Sequence, residues 1–309
     1  MTSRNGKDIS IIIPTFGRHK ILIQTIESVL KHMPYKGELI VVDQNERHPE
    51  DVAKQLAVWQ EAHDIELIKL SRPHKCVARN VGATKAQSSI VLFLDDDVII
   101  SPHLMEEHLR AHNEHECCAV VGEIYQWRNH ISVNSQIDAG MKTRPHYGYG
   151  KPRWITHLAS TNVSLEKEVF TCVGGFDENF VGAAHAEDDD LGERLTAAGH
   201  RVLFHPNPWI VHLRAPQGGC RIPASTWPEW TKSVGTLIYA FRHGFKNGLA
   251  LQYFKIAVRQ GPLRRENVVK PWRWGTAWTH FFYAVLFAFR QRNRVVSSIT
   301  CPADHCGRP

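Results

Sequence analysis

Apolar residues along the first hundred positions fall alternately into short unbroken runs and into helical spacings. Residues 9–13 form a largely β-branched run that stops at Pro14-Thr15, and this predicts a fully buried strand. Residues 21–33 place Leu22, Ile26, Val29 and Leu30 on one helical face. A second strand is predicted at 38–42, closing on Asp43, then a helix at 52–63 and a third strand at 65–70. A helix at 77–86 leads into a fourth strand at 90–94. Strands alternating with helices of this length predict a doubly wound, mostly parallel sheet.

The pattern loosens after residue 100. Strands are expected at 118–121, 159–165 and 201–204, the last followed by Pro206 and Pro208, with strand-like character again at 209–211. Residues 145–151 are a Gly/Pro/Tyr loop, and 188–198 a helix that Gly199 would close. There is no internal repeat and no low-complexity segment.

From about residue 216 the spacing is helical and the charge changes sign. Residues 220–309 hold 14 Lys/Arg against 3 Asp/Glu, a net of +11, and residues 1–219 hold 23 against 28, a net of −5. Trp227, Trp230, Trp272, Trp274 and Trp278 all lie in the basic part. Basic residues with tryptophan at the edges of apolar stretches suit an anionic membrane surface. Nucleic acid attracts the same charge, but the chain has no nucleic-acid motif and its larger part is acidic, so no nucleic-acid partner is expected. Residues 274–289 carry no formal charge over 16 positions. As a helix they reach about 24 Å, short of the roughly 20 residues a bilayer span needs. Arg273 precedes them, and Arg290, Arg292 and Arg294 follow. The expectation is a helix in the membrane interface or packed on the preceding domain, with an ordinary core helix as the plain alternative.

The composition, 43% hydrophobic and 22% charged, is that of a globular protein with ample core material. Seven cysteines, odd in number and without disulfide-framework spacing, and a polar start over residues 1–8 without a signal-length apolar segment suggest a cytoplasmic protein. Cys301, His305 and Cys306 make half of a zinc pattern that no second cysteine pair completes.

The chemistry concentrates at Asp95-Asp96-Asp97, directly after the fourth predicted strand. Three like charges at a strand end repel unless water or a cation relieves them. Oxygen ligands of this kind suit Mg²⁺ or Mn²⁺, and ligands of open α/β sheets bind beyond the carboxyl ends of the strands. A solvated acidic loop is the alternative.

Six segments, in order, resemble the family-2 glycosyltransferases of the GT-A fold over residues 9–213. SIIIPTFGR, ELIVVDQN, RPHKCVARNVGATKA and LFLDDDV look like that family's donor half. NVSLEKEVFTCVGGFDENF and AEDDDLGERLTAAGHRVLFHP look like its acceptor half. The resemblance implies a catalytic domain over residues 1–215, with a nucleotide-sugar half at about 1–100 and an acceptor half at about 101–215. Residues 216–309 would be a helical, basic extension.

The resemblance also implies roles. Pro14, Thr15 and Arg18 would border the nucleotide, Asp43 would read its base, and Arg79 would lie near its phosphates. Asp97 would hold Mn²⁺ or Mg²⁺ with His212, Asp95 would turn toward the ribose, and Asp96 leaves that register open. Glu187 and Asp188 match a Glu-Asp element in which Asp188 would be the base of an inverting displacement. Asp189 and Asp190 are then helix-dipole charges. Gly175 and Asp177 belong to a turn expected at the acceptor pocket. The chain departs from the family pattern mainly at His185, just before the acidic pair. The implied donor is a UDP- or dTDP-sugar, with GDP-sugars in reserve. The implied acceptor is a saccharide or lipid-linked hydroxyl in surface polysaccharide or glycolipid synthesis, at the inner face of the membrane. Two alternatives stand beside it. A sugar-phosphate nucleotidyltransferase would need a glycine-rich loop where this chain has Pro14 to Arg18, and a non-catalytic scaffold would not need the acidic set.

Overall fold

The computed structural model describes residues 9–33, 37–126, 144–145, 151–219, 230–244 and 248–299. Trp227, Cys301, His305, Cys306 and most of the expected loop at 145–151 lie outside these residues, as does the polar start.

The first hundred residues are built as their spacing predicts. β1 (Ile9–Thr15), β2 (Glu38–Asp43), β3 (Glu66–Lys69) and β4 (Ile90–Leu94) pair in parallel in the order β3-β2-β1-β4. The helices α1 (His19–His32), α2 (Glu50–Glu61) and α3 (Lys75–Lys85) connect them. Ile12, Ile13, Val41, Leu92 and Phe93 are wholly buried, as continuous apolar runs require of strands covered on both faces. α3 packs so closely on β1 that a Cβ at Gly82 would stand 2.4 Å from Ile12 Cγ2.

Beyond β4 the sheet turns mixed. β5 (Val98–Ile100), α4 (Leu104–Glu114), β6 (Ala119–Gln126), β7 (Arg144–Pro145), β8 (Arg153–Ile155), β9 (Asn162–Glu166) and β10 (Val202–His212) complete it. β9 lies antiparallel between β4 and β6, and β10 runs parallel to β6. The expected strand at 201–204 does not stop at its prolines. β10 continues to His212, and its register against β6 shifts between His205 and Trp209, the stretch that holds Pro206 and Pro208. A proline donates no ladder hydrogen bond, so it is tolerated at such an irregularity. The side-chain amide of Asn162 donates to Pro208 O at 2.9 Å and to Glu123 O at 3.2 Å, satisfying carbonyls there. His108 and His112 of α4 fix Asn162 and Ser164 from behind through three contacts of 2.9 Å. Burial pushes His108 down to about 4, which keeps that imidazole neutral.

α5 (Lys167–Cys172) and α6 (Glu187–Ala197) precede β10 in the middle of the chain, and α7 (Thr231–His243), α8 (Gly248–Gln260), α9 (Arg265–Val268) and α10 (Trp274–Gln291) form the basic part. α7 packs on α6, α8 and α10. A buried ionic clamp fastens it: Arg242 donates to Asp177 Oδ2 and to Asp190 Oδ1, each at 2.7 Å. His243 also reaches Asp190 Oδ1 at 2.9 Å, and Arg194 donates to Asp190 Oδ2 at 2.9 Å. Arg242 additionally donates to the backbone oxygens of Gln291, Arg292 and Arg294.

Removing one partner from a buried ionic network leaves the others uncompensated, at a cost of about 3–5 kcal/mol. Arg242→Ala should therefore lower stability by that order in urea unfolding, and a change below about 1 kcal/mol would show that the clamp does not fasten the helices.

Candidate active site

Strand register assembles the site. Thr15 and Asp43 end β1 and β2 side by side. β4 ends at Leu94, opposite Asn162, which brings Thr161 against Asp95: its hydroxyl donates to Asp95 Oδ2 at 2.9 Å. β5 starts at Val98, opposite His212, so the end of β10 lies beside Asp97. Leu213 N donates to Asp97 O at 2.8 Å and closes this corner.

Each of the three consecutive carboxylates has its own partners. Asp95 takes Arg79 Nη2 at 3.3 Å. Asp96 takes Thr15 Oγ1 and Arg18 Nη1, each at 2.6 Å. Asp97 takes Arg18 Nη1 at 2.7 Å, His212 Nε2 at 3.1 Å and Ala215 N at 2.8 Å. Burial opposes the charge on Asp95, but Arg79 above all, then Lys75, holds it well below the usual carboxylate range. Asp96 moves the other way: burial pushes it up, Arg18 pulls against that, and Asp97 adds to the rise.

Asp95, Asp97 and His212 each present a ligand atom, and these atoms lie within 4.8 Å of one another. Two carboxylates and an imidazole fit Mn²⁺ well, and Mg²⁺ less so because of the nitrogen. Asp95, expected to face a ribose, stands with Asp97 and His212 in this cluster. A 160 Å³ cleft opens beside the cluster, bordered by Pro14, Phe16, Gln44, His74, Lys75 and Gly219 besides Arg18, Arg79, Asp95, Asp96 and His212. A larger hollow of 810 Å³ lies at the opposite, amino-terminal edge of the sheet, by Glu38, Glu66 and Ser88. Ligands of such sheets bind at the carboxyl edge, where the charged groups converge.

α6 brings up the second acidic pair. The chain enters it through Ala184 and Ala186, whose φ of 50° and 73° are costly for residues with a Cβ. Glu187 is buried against Lys75 Nζ and Arg79 Nη1, the latter at 3.2 Å. Asp188 Oδ2 accepts from Ser160 N at 3.1 Å, and its Oδ1 has no hydrogen-bond partner among the described residues. Burial first, then the charge of Glu187, raises Asp188 to about 6 against the pull of Lys75 and Arg79. Arg79, only 1% exposed, lies between the two acidic pairs.

The glycosyl transferase family 2 sequence profile matches residues 10–174, more than half of the chain. The chain belongs to glycosyltransferase family 2. It is 27% identical over 228 residues to the O-antigen biosynthesis protein RfbC of Myxococcus xanthus, covering 68% of this chain and only 17% of that protein. Among solved structures, S. aureus TarS 1–349 in complex with UDP-GlcNAc superposes with a TM-score of 0.61 at 15% identity, covering 90% of this chain and 81% of the other. The mannosyltransferase PcManGT of Pyrobaculum calidifontis with GDP-Man and Mn²⁺ gives 0.53 at 17% identity, covering 90% and 75%. These likenesses establish the GT-A fold.

Three residues singled out by the family pattern have surroundings of their own. Asp43 does not border the cleft. Both its oxygens are engaged, Oδ1 by Asn45 N and Nδ2 and Oδ2 by His48 and Lys69, which hold it well below the usual range against its burial. Gln44, the next residue, borders the cleft instead. Gly175 lies against α3 and α5, and Asp177 against the helical part. A Cβ at Gly175 would meet Asn80 Oδ1 at 2.8 Å, and Asp177 is taken by Arg242, 65 positions away, a pairing the local turn pattern does not reveal. Lys75 is the residue that sequence reasoning missed. A lysine in the first turn of a helix opposes the dipole and calls for a partner, here Glu187.

Asp96 bears on stability through pH. A carboxyl raised in the folded state contributes stability below its unfolded value near 3.9 and loses it as pH rises through the folded value. Arg18→Ala removes the main pull against that rise. Its destabilisation should reach about 3 kcal/mol at pH 8 and be clearly smaller at pH 5. Equal losses at both pH values in urea unfolding would refute this role for Arg18.

Proposed function

We propose that the protein is an inverting, metal-dependent glycosyltransferase, moving a sugar from a nucleotide-diphosphate sugar to a hydroxyl acceptor in cell-surface polysaccharide or glycolipid synthesis. The observation that carries this is Arg79. It ties Asp95, in a cluster able to hold a divalent cation, to Glu187 beside the carboxylate Asp188, whose Oδ1 has no hydrogen-bond partner among the described residues. A leaving diphosphate and an attacking hydroxyl need those two functions at a fixed separation. Residues 1–215 would be the catalytic domain and 216–309 its helical extension.

Asp95, Asp97 and His212 would hold Mn²⁺ or Mg²⁺, which when bound supplies Lewis acidity toward the diphosphate. The chain's own groups do the rest. Arg18, Lys75 and Arg79 place positive charge around the cleft, and Pro14, Phe16 and Gln44 border it where a nucleoside would lie. Asp188 takes the acceptor proton. A value near 6 leaves it ionised at neutral pH yet basic enough to accept a proton as the hydroxyl attacks. One carboxylate on the acceptor side fits a single displacement with inversion, through an oxocarbenium-like transition state.

The donor favoured is a UDP- or dTDP-sugar, with GDP-sugars possible in principle. The neighbouring structures, one with UDP-GlcNAc and one with GDP-Man, support a nucleotide-sugar donor without choosing the base. The resemblance to an O-antigen biosynthesis protein supports a saccharide or lipid-linked acceptor, and the setting we infer is the cytoplasmic face of the membrane.

Thermal unfolding with UDP, dTDP, GDP or CMP, each with Mn²⁺ or EDTA, tests the donor site. One nucleotide at about 100 times its Kd should stabilise by about 2.7 kcal/mol, only with Mn²⁺, and not in Asp97→Ala. No shift with any nucleotide would refute the donor site. Once a donor is known, kcat/KM should rise with pH through about 6. Asp188→Asn should lower kcat by roughly 10²–10⁴ and abolish that limb. Transfer at the wild-type rate in this variant would remove Asp188 as the base.

A further inference from the structure

The sequence leaves two settings open for residues 274–289: lying in a membrane interface or packing on the protein. The structure has α10 do the second while leaving part of its circumference uncovered. Phe281, Ala284 and Ala288 are buried, on the side by which α10 contacts α7. Away from these residues Phe282 and Leu286 stand 60% and 58% exposed, four positions apart on one side of the helix, and Phe289, 50% exposed, ends the stripe where its ring also meets Phe241 of α7 at 6.0 Å. Exposed apolar residues continue through the preceding turns at Leu263, Val268, Val269, Trp272 and Trp274, with Trp272 exposed by 77%. Scattered exposed apolar residues are ordinary, but a contiguous set of large ones marks an interaction surface.

Charge says what covers it. Residues 248–299 hold nine Lys/Arg and a single acidic residue, Glu266. Arg265, Lys270 and Arg273 are exposed beside the tryptophans, and Arg290 is exposed at the far end of the stripe. A second copy of the chain meeting this face through a two-fold axis would bring two strongly positive surfaces together. Nucleic acid would accept the charge but has no use for a bare aliphatic and phenylalanine stripe. A bilayer surface carrying anionic headgroups takes both, its acyl boundary receiving the stripe and its headgroups the basic rim. No helix among the described residues is long and apolar enough to cross a membrane.

We infer that the outward face of α10, with the Leu263–Trp274 approach to it, is a docking surface for anionic phospholipid bilayers. α10 is then a two-sided element, fastened to the catalytic fold by one face and seated in the headgroup region by the other. This supplies a partner for the proposed function by holding the enzyme where a lipid-linked acceptor lies. It draws on that reading for its purpose only, because the surface is tested without donor or metal.

The test is sedimentation of the full chain with vesicles of pure phosphatidylcholine or of phosphatidylcholine with 30 mol% (about one anionic lipid in three) phosphatidylglycerol. Binding should be confined to the anionic vesicles and weaken as salt is raised. Phe282→Asp/Leu286→Asp, and separately Arg265→Ala/Lys270→Ala/Arg273→Ala, should each weaken it at least tenfold, roughly, with unchanged thermal unfolding because these side chains are exposed. Three results would each overturn the proposal. They are no sedimentation of the wild type, equal binding by Phe282→Asp/Leu286→Asp, or a dimer in light scattering that this variant dissociates while vesicles go unbound. RNA binding without vesicle binding would assign the basic rim to nucleic acid and overturn it as well. A nucleotide-dependent thermal shift that persists while vesicles go unbound would leave the donor site intact.

Discussion

Mutual repulsion of buried carboxylates is the constraint on which the rest of this structure depends. The carboxyl edge of the sheet gathers Asp95, Asp96 and Asp97 from β4, and α6 adds Glu187 and Asp188. Buried arginines neutralise most of that charge, each from a different part of the chain. Arg18 comes from the turn after β1, and Arg79 from the middle of α3. Arg242 does the same for Asp177 and Asp190 from α7. A guanidinium stays charged and offers donors in a fixed fork, so it can satisfy two carboxylates at once where lysine presents a single point charge. Asp188 keeps a raised value all the same, because its burial and the neighbouring Glu187 outweigh the pull of Lys75 and Arg79.

Most of the donor half could be read from the sequence because its strands are continuous apolar runs and its helices keep a regular period. The run of aspartates at the end of β4 was legible for the same reason, since buried strands rarely close on three charges. What was not legible depended on pairing between distant segments. β5 has only three residues, and nothing local marks it as the antiparallel partner of β10 that carries Asp97 to His212. β10 was cut short in the sequence reading because prolines ordinarily end strands. The amide of Asn162, supplying hydrogen bonds from a neighbouring strand, is invisible to a local rule. The pairing of Asp177 with Arg242, 65 positions away, was illegible on similar grounds.

The same reasoning accounts for the strain before α6. Ala184 and Ala186 adopt left-handed backbone, where glycine or asparagine would be easier. The loop is pressed from outside by α7, where a Cβ on Gly235 would stand 2.2 Å from His185 O. The departure from the family pattern at His185 therefore falls where the helical part bears directly on the loop before α6. The alanines are held in place by packing, and the acidic pair that follows takes its orientation from that contact.

That contact changes how the chain can be divided. The change in charge near residue 216 suggests two modules joined end to end, as a designer of chimeras would treat them. Yet Gly235 is the floor on which the His185 carbonyl rests, and Arg242 reaches back to the turn and to α6. Grafting the basic helices of another protein after β10 would replace a supporting wall along with the attachment surface. A glycine four residues inside α7 is thus a compatibility requirement between two parts of the chain that composition makes look independent.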